Sequence, residues 1–176
     1  MGRSGPIEPP GEPLTDGAVA VRLRRESDLA AIAAASHDPE SLRWLTDPPM
    51  DAEARRTSLD RNAEAWRTGQ AAPMVIAAAD SDEPIGIVNL QFRDDEVATI
   101  AYSVFPAHRG QGIAPRAVEL VSGWALGQLR LSRLILEADE GNAASIRVAE
   151  KCGFERTGSR VEDSGATTVI FARTAS

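Results

Sequence analysis

The stretch SVFPAHRGQGIAPRA, residues 103–117, sets an apolar extended run directly against a helix, with a glycine-bearing loop between them. Val104 and Phe105 lead into Arg109, Gly110, Gln111, Gly112 and Ile113, and Ala114 and Pro115 open the helix. Two glycines let the backbone approach a ligand closely, and the unpaired N–H groups of a helix start point at whatever the loop holds. Pro115 suits the first helical turn, where its missing N–H costs nothing. The pattern predicts an anion cradle whose natural occupant is a pyrophosphate; the competing reading is a tight strand-to-helix turn that binds nothing. No Lys-Ser/Thr pair follows the glycines, so this is not a Walker loop, and the three-glycine dinucleotide fingerprint is also missing.

Working outward from the loop, three runs of strand character precede it, at 74–79, 85–92 and 97–105, joined by short acidic or Gly/Pro connections that suit hairpins. A helix over 115–129, a strand over 133–138, a helix over 142–151 and a strand pair near 154–160 and 167–173 follow. Nearer the start, residues 18–24 alternate apolar and charged side chains, as a half-buried strand does. Ser27 is placed to cap a helix running to Ser36, with a short helical turn at 41–45 and a longer helix at 51–67. The expected fold class is therefore α/β, with a mixed central sheet of about six to seven strands flanked by about four helices. Residues 1–17 carry four prolines and four glycines among few apolar side chains, which predicts a disordered tail before a single domain over 18–176.

The 176 residues suffice for one substantial core, and 43% hydrophobic with 26% charged residues is an ordinary globular mix. With 26 acidic against 19 basic side chains the net charge is −7, so the basic footprint of a nucleic-acid or anionic-membrane binder is missing. One cysteine, Cys152, allows no intrachain disulfide, and two histidines far apart in sequence offer no metal-ligand spacing. No apolar run has the length of a membrane span, and the expected location is the cytoplasm.

With the rest of the chain in view, the sequence resembles the GNAT superfamily of N-acetyltransferases. Its signature, Gln or Arg, two residues, Gly, one residue, then Gly or Ala, matches Arg109, Gly112 and Ala114. NAASIRVAEKCGF, residues 142–154, is similar to the second signature of the branch typified by RimJ and RimL, which acetylates ribosomal-protein N-termini. DPESLRWLTDPP, residues 38–49, resembles that branch's substrate-side helix and loop. The resemblance implies acyl transfer from acetyl-CoA to a primary amine, on a protein N-terminus or a small molecule, by direct transfer in a ternary complex. It implies a pyrophosphate on the backbone of Arg109 to Ala114, and a pantetheine arm between two splayed strands, Tyr102 to Phe105, with Val104, and Leu134 to Ala138. Backbone N–H near Val104 would polarise the thioester carbonyl, and Asn142 and Ser145, on one face of a helix start, would hold the arm and reach the departing sulfur. Local capping by these two side chains is a compatible alternative.

The departures concern the proton chemistry. Where many relatives carry an acidic tyrosine this chain has Ala149, and where the branch often has a glutamate it has Thr99. Glu137 is the candidate to take the amine proton, with Asp139 beside it, weighed against ordinary solvated carboxylates. Tyr102, the only tyrosine, reads as core or as a donor into the site. Cys152 reads as a small apolar core residue rather than an acyl carrier. Trp44, Leu45 and Met50 read as acceptor-pocket walls or as core. Two further readings stay open: an acyl-CoA-binding module with little catalysis, and an acyltransferase using succinyl-CoA or another larger acyl-CoA. Homodimerisation through an edge strand is also left open.

Overall fold

The computed structural model describes residues 2–44 and 48–176; of the acceptor-side candidates, Leu45 lies outside them. Among the described residues one mixed sheet contains eight strands: β1 (Leu14–Thr15), β2 (Val19–Leu23), β3 (Ala71–Ala78), β4 (Pro84–Phe92), β5 (Val97–Val104), β6 (Arg133–Asp139), β7 (Glu155–Val161) and β8 (Thr167–Thr174). Their spatial order is β1-β2-β3-β4-β5-β6-β8-β7, antiparallel except where β5 meets β6. The helices are α1 (Leu29–Ser36), α2 (Pro39–Trp44), α3 (Ala52–Thr68), α4 (Ile113–Gly127) and α5 (Ala143–Lys151). The α/β expectation is met with one strand more than foreseen, the two-residue β1.

That extra strand comes from the segment expected to be a disordered tail, which in this structure lies against the domain. Leu14 pairs with Val21, Ile7 is buried, and the Ile7 N–H donates to Trp66 O at 2.8 Å. Arg3 stacks over the Phe92 ring at 5.6 Å and its N–H donates to Gly69 O at 2.8 Å. Gly69 ends α3 in a left-handed turn with φ 80°, and a Cβ there would stand 2.3 Å from Gly5 O, so only glycine admits the segment. Composition averages over the segment and overlooks what one buried isoleucine and a few backbone bonds contribute.

Strand alternation sorts the apolar side chains onto two faces. Met74, Ile76, Val88, Leu90, Ile100, Leu134 and Leu136 face the main core, which α4 covers with Val118, Val121 and Trp124. Trp124 meets Trp66 of α3 at 6.1 Å between ring centroids. On the other face Val75 and Phe105 pack with Leu29 and Ile32 of α1, and with Met50 and Leu59 at the margin. Met50 thus joins the core.

Ser27 does not cap α1. Asp28 is drawn instead into a buried ion pair with Arg22, at 2.8 and 3.0 Å, and its carboxylate also accepts the Arg25 N–H at 2.8 Å. This closes a 3-10 turn at Glu26–Asp28, and α1 starts one residue later than a Ser27 cap would place it, at Leu29.

Candidate functional site

β5 and β6 run parallel, so both end at one rim of the sheet, where the loops that follow them face each other. Their pairing is short. Val97, Ala98 and Thr99 lie opposite Arg133, Leu134 and Ile135, and beyond them the strands part, although β5 continues to Val104 and β6 to Asp139. On the outer sides pairing persists, Gly86 opposite Val104 and Thr168 opposite Asp139. The sheet therefore opens into a cleft in its middle rather than fraying at an edge.

Backbone alternation fixes what lines this cleft. Phe105 N–H donates to Ile85 O at 2.8 Å, and Glu96 O accepts from Arg133 N–H at 3.2 Å. The Ile100 N–H closes the ladder to β6, and beyond it the Ile100 C=O and the N–H and C=O groups of Tyr102 and Val104 are turned away from β4 and into the opening. On the other wall, Glu140 N–H donates to Thr167 O at 2.9 Å, which turns the backbone of Glu137 and Asp139 inward.

At the rim, Gly110 and Gly112 have φ of 78° and 74°, and no atom stands within 4 Å of where a Cβ would be. Gly112 precedes α4 directly. Among the described residues the N–H groups of Gly110, Gln111, Gly112, Ile113 and Ala114 donate to no protein acceptor. They combine the orphan donors of a helix start with those of the loop, at the positive end of the α4 dipole.

Arg109 and Phe105 serve this loop from outside. The Arg109 guanidinium donates to Val104 O at 3.2 Å, Asp38 Oδ2 at 2.9 Å and Ser41 Oγ at 3.1 Å, which pins the loop to β5 and to α2. Asp38 also accepts the Ser41 N–H at 3.0 Å; that bond first, and Arg109 next, hold its carboxyl below the usual range. The Phe105 side chain is buried in the second core cluster and its N–H is spent on Ile85. Phe105 anchors the strand and offers the cleft no donor.

Across the rim, Asn142 Oδ1 caps α5 by accepting the Ser145 N–H at 3.3 Å; the local capping read in sequence is made by Asn142, whereas the Ser145 hydroxyl is turned to another partner. Ser145 Oγ lies 2.7 Å from the Tyr102 phenol oxygen, a tie between β5 and α5 across the cleft. Burial pushes the Tyr102 phenol above its ordinary value, against the opposing effect of the Ser145 contact. Tyr102 packs against the main core, as one of its two readings in sequence had it, and the contact with Ser145 was not foreseen. The alternation of β5 that groups Tyr102 with Val104 was visible, but nothing local in sequence places α5 above it.

Glu137 is not brought to Ser145. With Thr99 opposite Ile135, Tyr102 falls in register with Ala138, so the Tyr102 and Glu137 side chains leave opposite faces. The Glu137 carboxylate accepts from Arg160 at 3.0 and 3.3 Å and from Arg93 at 3.0 Å. These cations, Arg160 foremost, hold it below the usual carboxylate range, which makes it a weak proton acceptor. Asp139 Oδ1 accepts the Gly141 N–H at 2.8 Å, closing the turn into α5. Ala149 is fully buried in the main core, and Thr99 Oγ1 accepts from Arg93 at 2.9 Å. Cys152 is buried, with its thiol pushed up to about 11 by desolvation, and donates to Pro115 O at 3.3 Å. Trp44 donates to Glu40 at 2.7 Å, and its ring stands beside Gly141, where a Cβ would be 3.7 Å away. Thus α2 touches both loops of the rim. Among the described residues no three His, Cys, Asp or Glu side chains group to hold a metal, and no helix is long and apolar enough to cross a membrane.

A mixed sheet parted between parallel strands, with a glycine loop and helix start at the mouth, defines a class of acyl-transferring α/β domains. The chain belongs to the GNAT family of acetyltransferases: the family model for the acetyltransferase (GNAT) domain matches residues 19–155. It is similar to the uncharacterized N-acetyltransferase p20 of Bacillus licheniformis, 27% identical over 124 residues that make up 69% of this chain and 70% of that protein. The "Probable N-acetyltransferase YjcK" of Bacillus subtilis (strain 168) is 38% identical over 86 residues, 47% of this chain and 48% of YjcK. In fold the chain resembles RimL, the ribosomal L7/L12 α-N-protein acetyltransferase, solved in complex with coenzyme A, at a TM-score of 0.81 and 18% identity over 93% of this chain and 98% of that one. It likewise resembles spermidine N-acetyltransferase from Vibrio cholerae, solved with CoA and spermine, at a TM-score of 0.80 and 17% identity, over 91% and 97% of the two chains. The protein is an N-acetyltransferase.

Proposed function

We propose that this enzyme transfers an acetyl group from acetyl-CoA to a primary amine within a ternary complex, in the manner of the RimJ/RimL-like branch. The observation that carries this reading is the cleft between β5 and β6 with five unpaired N–H groups at its mouth. Those donors, beside open space at Gly110 and Gly112, fit a pyrophosphate, and the inward-facing backbone of Ile100, Tyr102, Val104 and Glu137 fits an extended amide-bearing arm. When bound, acetyl-CoA supplies an activated thioester.

The chain's own groups do the rest by placement. Gly110 to Ala114 hold the diphosphate, and Arg109 keeps their loop in register with β5. Val104 N–H, turned into the cleft, is the donor that polarises a carbonyl bound at its level, where preorganised dipoles act most strongly. Asn142 fixes the first turn of α5, so that the Ser145 hydroxyl stands over the opening as a donor to sulfur. Holding amine and carbonyl together supplies much of the acceleration, and no covalent enzyme intermediate is required. Glu137 belongs to the site through its backbone; its carboxylate organises Arg93 and Arg160. The acceptor approaches beside α2 and Trp44.

Calorimetric titration with acetyl-CoA and succinyl-CoA tests the reading, repeated with Gly112→Asp, which places a carboxylate at a left-handed position amid the donors. Binding to the native protein that the variant loses supports the site, and the preferred acyl chain directs a screen of amines by free-thiol release. A folded protein that binds neither thioester overturns the reading.

A further inference from the structure

We propose that Tyr102 is a positioning residue for acyl transfer: its phenol donates to Ser145 Oγ and thereby leaves the Ser145 proton directed into the cleft. The proposal rests on the acyltransferase reading above and adds a residue and a direction to it. Three observations carry it. The two oxygens are 2.7 Å apart, inside ordinary O–H···O distance. Tyr102 stands on the part of β5 that has separated from β6, and Ser145 on the first turn of α5, so their bond spans the opening. One turn further along α5 from Ser145, Ala149 is fully buried in the main core and carries no polar atom.

A hydroxyl pair at this distance shares one proton between its oxygens, and which oxygen donates decides where the other proton points. The phenol has a single proton and sits where burial disfavours its ionised form, so it stays protonated. Serine has two lone pairs and can accept from Tyr102 while donating elsewhere. With its ring held against the main core, Tyr102 has a fixed direction, and Ser145 inherits it. In the transfer, the bond from nitrogen to the acyl carbon forms and the carbon–sulfur bond breaks. The electron pair goes to sulfur, whose growing charge accepts the Ser145 hydrogen bond, and the excess proton on nitrogen leaves to water. The Tyr102 phenol loses no proton and touches neither reactant.

Tyr102→Phe keeps the ring and removes only the hydroxyl, and Ser145→Ala removes the acceptor. Turnover is expected to fall about tenfold or more in each, as for the loss of one hydrogen bond to a developing charge, with KM for acetyl-CoA unchanged. The double variant should fall no further than Ser145→Ala alone, because the two act as a unit. A readout independent of turnover is the calorimetric affinity for CoA relative to desulfo-CoA. Both single variants should lose about three- to tenfold of that preference while holding desulfo-CoA as the native protein does. The inference is overturned if Tyr102→Phe keeps native turnover and native preference for CoA, or if its loss adds fully to that of Ser145→Ala. A Tyr102→Phe protein that only unfolds at lower temperature also overturns it and returns the phenol to the core. If CoA does not bind at all, the acyltransferase reading has failed instead.

Discussion

At the scale of single residues, the strongest constraints are buried polar groups that have found partners. Arg22 and Asp28 are a buried pair, and Arg22 also donates to Asp82 at 2.7 Å, which fastens the start of α1 to the β3–β4 turn. Breaking such a pair from one side leaves an uncompensated charge, so Asp28→Ala should cost about 3–5 kcal/mol in urea denaturation. Replacing both partners by apolar residues should cost much less. Neither residue stood out in sequence, because a charge in an alternating strand reads as solvent-facing until the partner arriving from the next turn is known. Arg109 shows the same limit. Its place in the glycine motif was legible, but its use of Asp38 and Ser41, about seventy residues earlier, depended on the folded chain.

Among elements, the glycine loop, α4 and the Asn142 cap lay almost where the residue patterns put them, since each rests on local backbone chemistry. The role of Glu137 was misplaced for the opposite reason. Its spacing fitted the end of β6, but side-chain direction follows from register with β5, a long-range fact. What Glu137 does visibly is join β6 to β7 through Arg160 and to the β4–β5 turn through Arg93. Its carboxyl is held below its ordinary value of 4.5, so the native state binds its proton more weakly than the unfolded chain does. The stability this brings is complete above that ordinary value and drains away as pH falls through it to the lowered one. Wild type and Glu137→Gln should therefore differ by about 1 kcal/mol near neutral pH, given half-exposed arginines, and converge in acid. Urea midpoints measured across that range check it.

For the whole molecule, the boundary of the domain lies further toward the N-terminus than composition suggests. Ile7 belongs to the main core, and Asp16 accepts from Arg116 of α4 at 2.7 Å. Deleting residues 2–13 should lower stability by about 2–3 kcal/mol, the value of one buried isoleucine, whereas a mobile tail would be removed without effect. A thermal melt of the truncated chain distinguishes the two. The fold class was legible throughout, because alternation and helical spacing survive without tertiary knowledge, while the contents of the cleft were not. The short ladder between β5 and β6 has a consequence for how the molecule opens. Among the described residues three residue pairs make up the whole strand ladder between strands β1–β5, on one side, and β6, β8 and β7 on the other, with α4 and α5 packed across the seam and Arg93–Glu137 bridging it. One core runs beneath both halves, so the expectation is local: the inward-facing amides of β5 beyond Ile100 and of β6 beyond Ile135 should exchange faster than those of the outer ladders. An extended ligand hydrogen-bonded to both walls would complete the interrupted ladder, so that occupancy of the cleft is written into amide protection along both of its strands.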